Sequence, residues 1–96
     1  MALLRVQHVV PNFEAWKRAF DSDPIARQVS GVRGYKIHRD VGNPNFVVID
    51  LDFGTVAEAG AFLEKLRDLW AGYGDAMMRN PEAWVLETVE SKFNVS

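Results

Sequence analysis

The eight residues FVVIDLDF, Phe46 to Phe53, set Val47, Ile49, Leu51 and Phe53 against Phe46, Val48, Asp50 and Asp52 in strict alternation. Successive side chains of a strand point to opposite faces, so one face of any sheet that holds this segment is wholly apolar and the other mixed. An apolar sheet face needs a cover, and the flanking segments are the right kind to supply one. ALLRVQHVV, residues 2 to 10, repeats the pattern more weakly, with Leu4, Val6, His8 and Val10 on one side and Leu3, Arg5, Gln7 and Val9 on the other. VRGYKIHRD, 32 to 40, and EAWVLETVE, 82 to 90, read as two further strands.

Two segments carry helical spacing. Pro11 ends the first strand, and Asn12 is placed to cap a helix whose Phe13, Trp16 and Phe20 share a side while Glu14–Arg18 and Lys17–Asp21 face water. Asp23-Pro24 predicts a restart of that helix, carrying Ile25, Ala26 and Val29 as far as Gly31. After the turn VGNPN and the break at Gly54, TVAE is a capping box in which Thr55 and Glu58 satisfy helix-end amides reciprocally. The second helix is expected to run to about Ala71 and to bury Val56, Gly60, Leu63, Leu66 and Trp70. GYGDAMMRNP then reads as a loop or a frayed extra turn, with Met77 and Met78 either a flexible lid or filling beneath the second helix.

The order β-α-β-β-α-β within 96 residues predicts an α+β protein, the ferredoxin-like sandwich: a four-stranded antiparallel sheet with two helices on one face and the first and third strands central. Residues 1–96 are expected to form one domain with a loose tail over 91–96, and 48% apolar residues suffice for a core without staples. No cysteine is present, which removes disulfides, thiolate nucleophiles and zinc-thiolate sites. A net charge of −2 offers no footprint for phosphate backbones, so nucleic acid is not an expected partner. No segment reaches the roughly 18 apolar residues of a membrane span, and a cytoplasmic protein is expected.

Two helices shield one side of such a sheet. The other side carries Leu3, Val9, Phe46 and Val48 among Arg5, Gln7, Asp50 and Asp52, which predicts a homodimer closed through the sheets, with Arg5 meeting Asp50 or Asp52. The alternative is a monomer with a partly polar open sheet.

HVVPNFEAWK from His8, Arg27 four residues before GVRGYKIHRD, then NPNFVVIDLDF and PEAWVLE span most of the chain. In that order they resemble the dimeric α+β barrel superfamily, and within it the small proteins grouped with the antibiotic biosynthesis monooxygenases and cyclase-like proteins. The resemblance implies a ligand held between helices and sheet in each subunit while the two sheets close into a barrel. It also implies chemistry like that of the superfamily's quinone-forming monooxygenases, which oxidise polyphenols without flavin or metal, so no cofactor is expected. Such a site needs a dry apolar slot and a group that takes a phenolic proton. The haem-degrading branch uses a later histidine as iron ligand, and this chain has none after His38.

His8 is the candidate catalytic residue, since imidazole exchanges protons near neutral pH and its place in the alternation points it to the helix side; a core histidine without chemistry is the alternative. Trp16, Phe20 and Trp70 are candidates for the walls of a slot for a planar substrate, and core packing explains the same spacing. Tyr35 and Arg27 are candidates for a hydrogen bond and a counter-charge to an anionic ligand, with a surface or helix-end salt bridge as the other reading of Arg27. Trp84 belongs either to the core or to the dimer seam. His8, His38, Asp50 and Asp52 have metal-binding types, but His8 and the aspartates fall on opposite faces and no metal is expected. Ser22, Ser30, Ser91 and Ser96 have no paired base. Three functions are therefore open: a homodimeric, cofactor-independent oxygenase or cyclase-like enzyme on aromatic or polyketide-like substrates, a non-catalytic ligand-binding or structural dimer, and a heteromeric partner using exposed edge strands.

Overall fold

A computed structural model describes residues 1–73 and 79–92. The chain forms β1 (Ala2–Val9), α1 (Phe13–Asp21), β2 (Gly34–Arg39), β3 (Phe46–Phe53), α2 (Val56–Tyr73) and β4 (Arg79–Glu87). The four strands make one antiparallel sheet in the order β2-β3-β1-β4, the ferredoxin-like arrangement with β1 and β3 in the centre. Met77, Met78 and the last four residues of the tail lie outside the described residues. Among the described residues no helix is long and apolar enough to cross a membrane.

The alternation of β1 and β3 is realised without a slip. Leu4, Val6 and His8 bury the inner face of β1, with Val10 just beyond the strand, and Val47, Ile49, Leu51 and Phe53 that of β3. Cross-strand pairing of Val6 with Ile49 and of His8 with Val47 places these side chains on one surface beneath the helices. At the head of α1 the Asn12 side chain accepts from the Ala15 amide at 3.0 Å, as expected of an N-cap. Half of the capping box forms as expected: the Glu58 amide donates to Thr55 Oγ1, while the Thr55 hydroxyl, rather than its amide, donates to Glu58 Oε1, both at 3.1 Å.

The helical restart after Asp23 does not occur. Asp23 and Ala26 hold φ of 54° and 53°, in the left-handed region that interrupts a right-handed helix, and residues 22–33 are a chain of turns. Local bonds replace the helical ladder: Asp23 accepts from the Arg27 amide at 2.9 Å, and the Ser30 hydroxyl donates to the Ile25 carbonyl at 2.8 Å. Ile25 packs on the core from this loop, but Val29, expected on an apolar side, is 91% exposed.

Other boundaries and faces shift too. β2 begins two residues later than expected and β4 three residues earlier, at Arg79. Val56 is exposed; the buried stripe of α2 runs through Ala59, Phe62 and Leu63 and continues to the half-buried Leu66 and Trp70. On β4, Ala83 and Val85 pack inward, which puts Trp84 and Leu86 on the outer face at 40% and 37% exposure. Arg5 meets Asp50 inside one chain, across the β1–β3 pair, with Nε to Oδ1 at 2.8 Å and Nη2 to Oδ2 at 3.0 Å.

Candidate functional site

The two helices approach the sheet differently, and the difference opens a space. Ala59 lets α2 come close to β1, β3 and β4, whereas no Cα of α1 lies within 8 Å of a strand or of α2. The rings of Phe13, Trp16 and Phe20 bridge that gap as a ladder, with centroid separations of 5.8 and 5.3 Å. Beside the ladder remains a cavity of ≈ 70 Å³, several times what a single water requires. Its floor is Val6, His8, Ile49 and Leu51 of the sheet. Trp16, Ala19 and Phe20 form one wall, Phe62, Leu66 and Trp70 the other, and Asp23, Pro24 and Ile25 of the turn segment close the top.

His8 is 2% exposed and is the only buried polar side chain among the described residues. Its Nδ1 has no hydrogen-bond partner there, an expensive condition for a buried polar atom. Burial lowers its pKa from 6.5 to about 4, because a charged imidazolium finds neither water nor a counter-ion in these surroundings. The ring is therefore neutral at pH 7. It lies 5.4 Å from Trp16, centroid to centroid, tilted by 58°.

The backbone is irregular at this point. Gln7 pairs with Glu82 and Val9 with Arg79, so Asn80 and Pro81 together oppose His8, the two-against-one arrangement of a β-bulge. Asn80 takes φ 48°, which asparagine tolerates, and Pro81 has no amide to donate. Bulges bend the strand that carries them, and this one lies in the strand next to His8, whose Nδ1 has no partner in the core.

The structure brings His8, Trp16, Phe20 and Trp70 together around the cavity, with Arg27 at its rim. Tyr35 stands one layer out: its ring meets Phe20 edge-on at 5.1 Å and does not border the cavity. The Arg27 guanidinium lies 3.8 Å above the Phe20 ring and 5.1 Å from that of Tyr35, donates to the Phe20 carbonyl at 2.8 Å, and sits 3.4 Å from Asp23. Arg27 is thus both the salt bridge that was one reading of it and a lining residue. His38 faces the opposite side of the sheet, 3.9 Å from Asp50, and among the described residues no group of three His, Cys, Asp or Glu could hold a metal.

Asp23, Pro24 and Ile25 are not legible as a cover from the sequence, because Asp-Pro also has the local pattern of a helix start. Phe62 lies outside a stripe that begins at Val56 and Gly60; the recurrence Ala59, Phe62, Leu63, Leu66, Trp70 is the signal in the sequence that includes it.

Solved structures share this architecture. SnoaB, a cofactor-independent oxygenase from Streptomyces nogalater solved as a point mutant, superposes with a TM-score of 0.69 at 17% identity, covering 94% of each chain. A protein of unknown function from Nitrosomonas europaea gives 0.69 at 19% identity over 99% of this chain and 95% of that one. An antibiotic biosynthesis monooxygenase gives 0.64 at 14% identity over 94% of this chain and all of the other. This chain has the fold of the antibiotic biosynthesis monooxygenase-like proteins. At these identities the likeness is one of fold. No protein-family model and no curated protein matches the sequence.

Proposed function

We propose that the chain is a homodimeric, cofactor-independent oxygenase or cyclase-like enzyme acting on phenolic aromatic substrates, with His8 as its proton-handling residue and Trp16, Phe20 and Trp70 as the slot. One observation carries this reading: the single buried histidine, with an unpartnered ring nitrogen, sits in the floor of a cavity walled by aromatic rings. A neutral imidazole accepts a hydrogen bond from a phenolic hydroxyl. When the proton follows, a phenolate–imidazolium pair forms, and its mutual attraction in a dry cavity offsets the burial that otherwise keeps His8 neutral.

The phenolate gives electrons to dioxygen more readily than the phenol does. For 1-naphthol the balance is one dioxygen taken up, one of its oxygens placed on a ring carbon to give 1,4-naphthoquinone, and the other released as water. All four electrons come from the substrate, so no reductant enters. The apolar walls keep water from the intermediates.

The dimer is supported by the outer sheet face, where Trp84 and Leu86 stand exposed and Arg5 is already paired with Asp50 within the chain. A second copy would cover the two apolar side chains and desolvate a preformed ion pair rather than a lone charge.

The depressed pKa favours a second reading, a non-catalytic ligand-binding dimer, because a group of pKa about 4 pulls weakly on a phenolic proton. Naphthoquinone formation and oxygen uptake with 1-naphthol separate the two. Turnover by the native protein that disappears in His8→Ala and His8→Gln, with naphthol binding and the circular dichroism spectrum retained, supports catalysis. Binding without turnover in all three proteins leaves the ligand-binding reading.

A further inference from the structure

The chamber over His8 is short of room. Its volume is ≈ 70 Å³, whereas an engineered apolar cavity that binds benzene measures about 150 Å³, so a phenolic ring settles over His8 only if a wall gives way. Three walls are parts of regular elements. The floor belongs to the two central strands, Phe62, Leu66 and Trp70 to α2, and Trp16, Ala19 and Phe20 to α1, which is anchored by the buried Trp16. The cover is different: Asp23, Pro24 and Ile25 belong to neither helix nor sheet.

That cover is bonded mainly to itself. Among the described residues, every backbone hydrogen bond made by residues 24–32 closes within 23–32: the amides of Ala26, Ser30, Gly31 and Val32 donate to the carbonyls of Asp23, Ala26, Gln28 and Arg27 at 3.1, 3.0, 3.3 and 2.9 Å. Asp23 and Ser30 add the side-chain bonds to the Arg27 amide and the Ile25 carbonyl. The ends are fixed, by the Asp23 amide on the Phe20 carbonyl at 3.1 Å and by the buried Val32. Between them the polar ties to the rest of the described chain are two: Arg27 Nη1 to the Phe20 carbonyl at 2.8 Å, and the exposed Lys65 ammonium of α2 to Ser30 Oγ at 3.2 Å. Ile25, lying over the chamber, is only half-buried. A unit that keeps its internal bonds when displaced, and has few bonds to its surroundings, is the wall that yields first.

Resting on the reading of the cavity as a phenol site, we infer that residues 24–31 are a lid that the ligand displaces: the segment swings as one piece between its fixed ends, Ile25 lifts from above His8, and the ring takes the space it leaves. Left-handed backbone at Asp23, φ 54°, and at Gly31, φ 100°, marks the two places where the chain turns into and out of the lid. Opening breaks the Lys65 tie and the Ile25 contact, and that cost is drawn from the binding energy of the ring. His8 is thus covered in the free protein and reaches a phenolic hydroxyl only in the complex.

Binding of 1-naphthol to the whole chain at pH 7, followed by the naphthol's own fluorescence, tests this through the sign of two effects. Ile25→Ala removes the obstruction and should tighten binding about three- to tenfold, the gain expected when a conformational cost is lifted; a chamber that took the ring with the lid in place would only lose a wall contact and bind more weakly. Lys65→Ala touches nothing in the chamber, yet it frees the lid and should raise the association rate in stopped-flow mixing about two- to fivefold. Weaker binding in Ile25→Ala, or an association rate that Lys65→Ala leaves unchanged, would overturn the inference while leaving the phenol site standing. Failure of the native protein and both variants to bind 1-naphthol would remove the phenol site and the lid together.

Discussion

Helices α1 and α2 lie over the same face of one sheet and leave opposite results beneath them. Under the first turns of α2 the small side chain of Ala59 permits close approach, and Phe62 packs on the fully buried Phe53 with centroids 5.5 Å apart. Under α1 three large rings hold the backbone away from the strands, and the space they leave is floored in part by a histidine whose Nδ1 has no partner. Ring size in one helix thus separates core from site. A large aromatic residue fills space where it meets a flat partner, and makes space where it works as a spacer.

The comparison can be broken most directly at its solid end. Phe53→Ala, at a fully buried position, is expected to cost about 3–5 kcal/mol in urea unfolding, whereas Trp70→Ala, beside existing empty volume, should cost clearly less. Equal losses would mean that the surroundings of the cavity are packed as tightly as the core around Phe53.

The next effect belongs to His8 alone. Its folded-state pKa of about 4 lies below the ordinary 6.5, so the folded protein resists protonation more than the unfolded chain does. The corresponding stability is complete above pH 6.5, falls as the pH drops toward 4, and amounts to about 3 kcal/mol when fully lost. Urea midpoints measured across that range should fall in the native protein relative to His8→Leu, which lacks the titrating group, as the pH drops. Parallel curves would show that the imidazole is not held neutral by burial.

Filling substitutions sharpen the contrast further. Ala59→Leu under α2 should cost about 1–3 kcal/mol through overpacking. Ala19→Leu, which projects into the cavity, should leave the urea midpoint nearly unchanged and abolish 1-naphthol binding. The smallest effect is expected on the uncovered face, where a double-mutant cycle on Arg5 and Asp50 should give less than about 1 kcal/mol in a monomer, the pair being partly exposed. A larger coupling, together with a two-chain mass by light scattering that falls to one chain in Trp84→Glu, would mark that face as buried in a dimer.

Much of this was legible in the residues themselves. The alternation of β1 and β3, the Asn12 cap, the central placement of β1 and β3 and the inward direction of His8 all follow from local periodicity and short-range hydrogen bonding. The course of residues 22–33 was not, because Asp-Pro begins a helix or a turn with equal local logic, and packing of Pro24 and Ile25 over the cavity decides between them. On α2 the recurrence through Leu63, Leu66 and Trp70 was legible, while at its start Val56 and Ala59 are both apolar and the recurrence through Phe62 favours Ala59.

Sequence alone thus determined which side chains share a face, since the repeat of a strand or helix is a property of the backbone that every residue inherits. How far each helix stands from the sheet, whether the ring of His8 meets packing or empty space, and which rings Arg27 stacks on were decided by the tertiary structure. Those outcomes depend on distances between segments far apart in the chain, which are set jointly by the volumes of all the side chains between them.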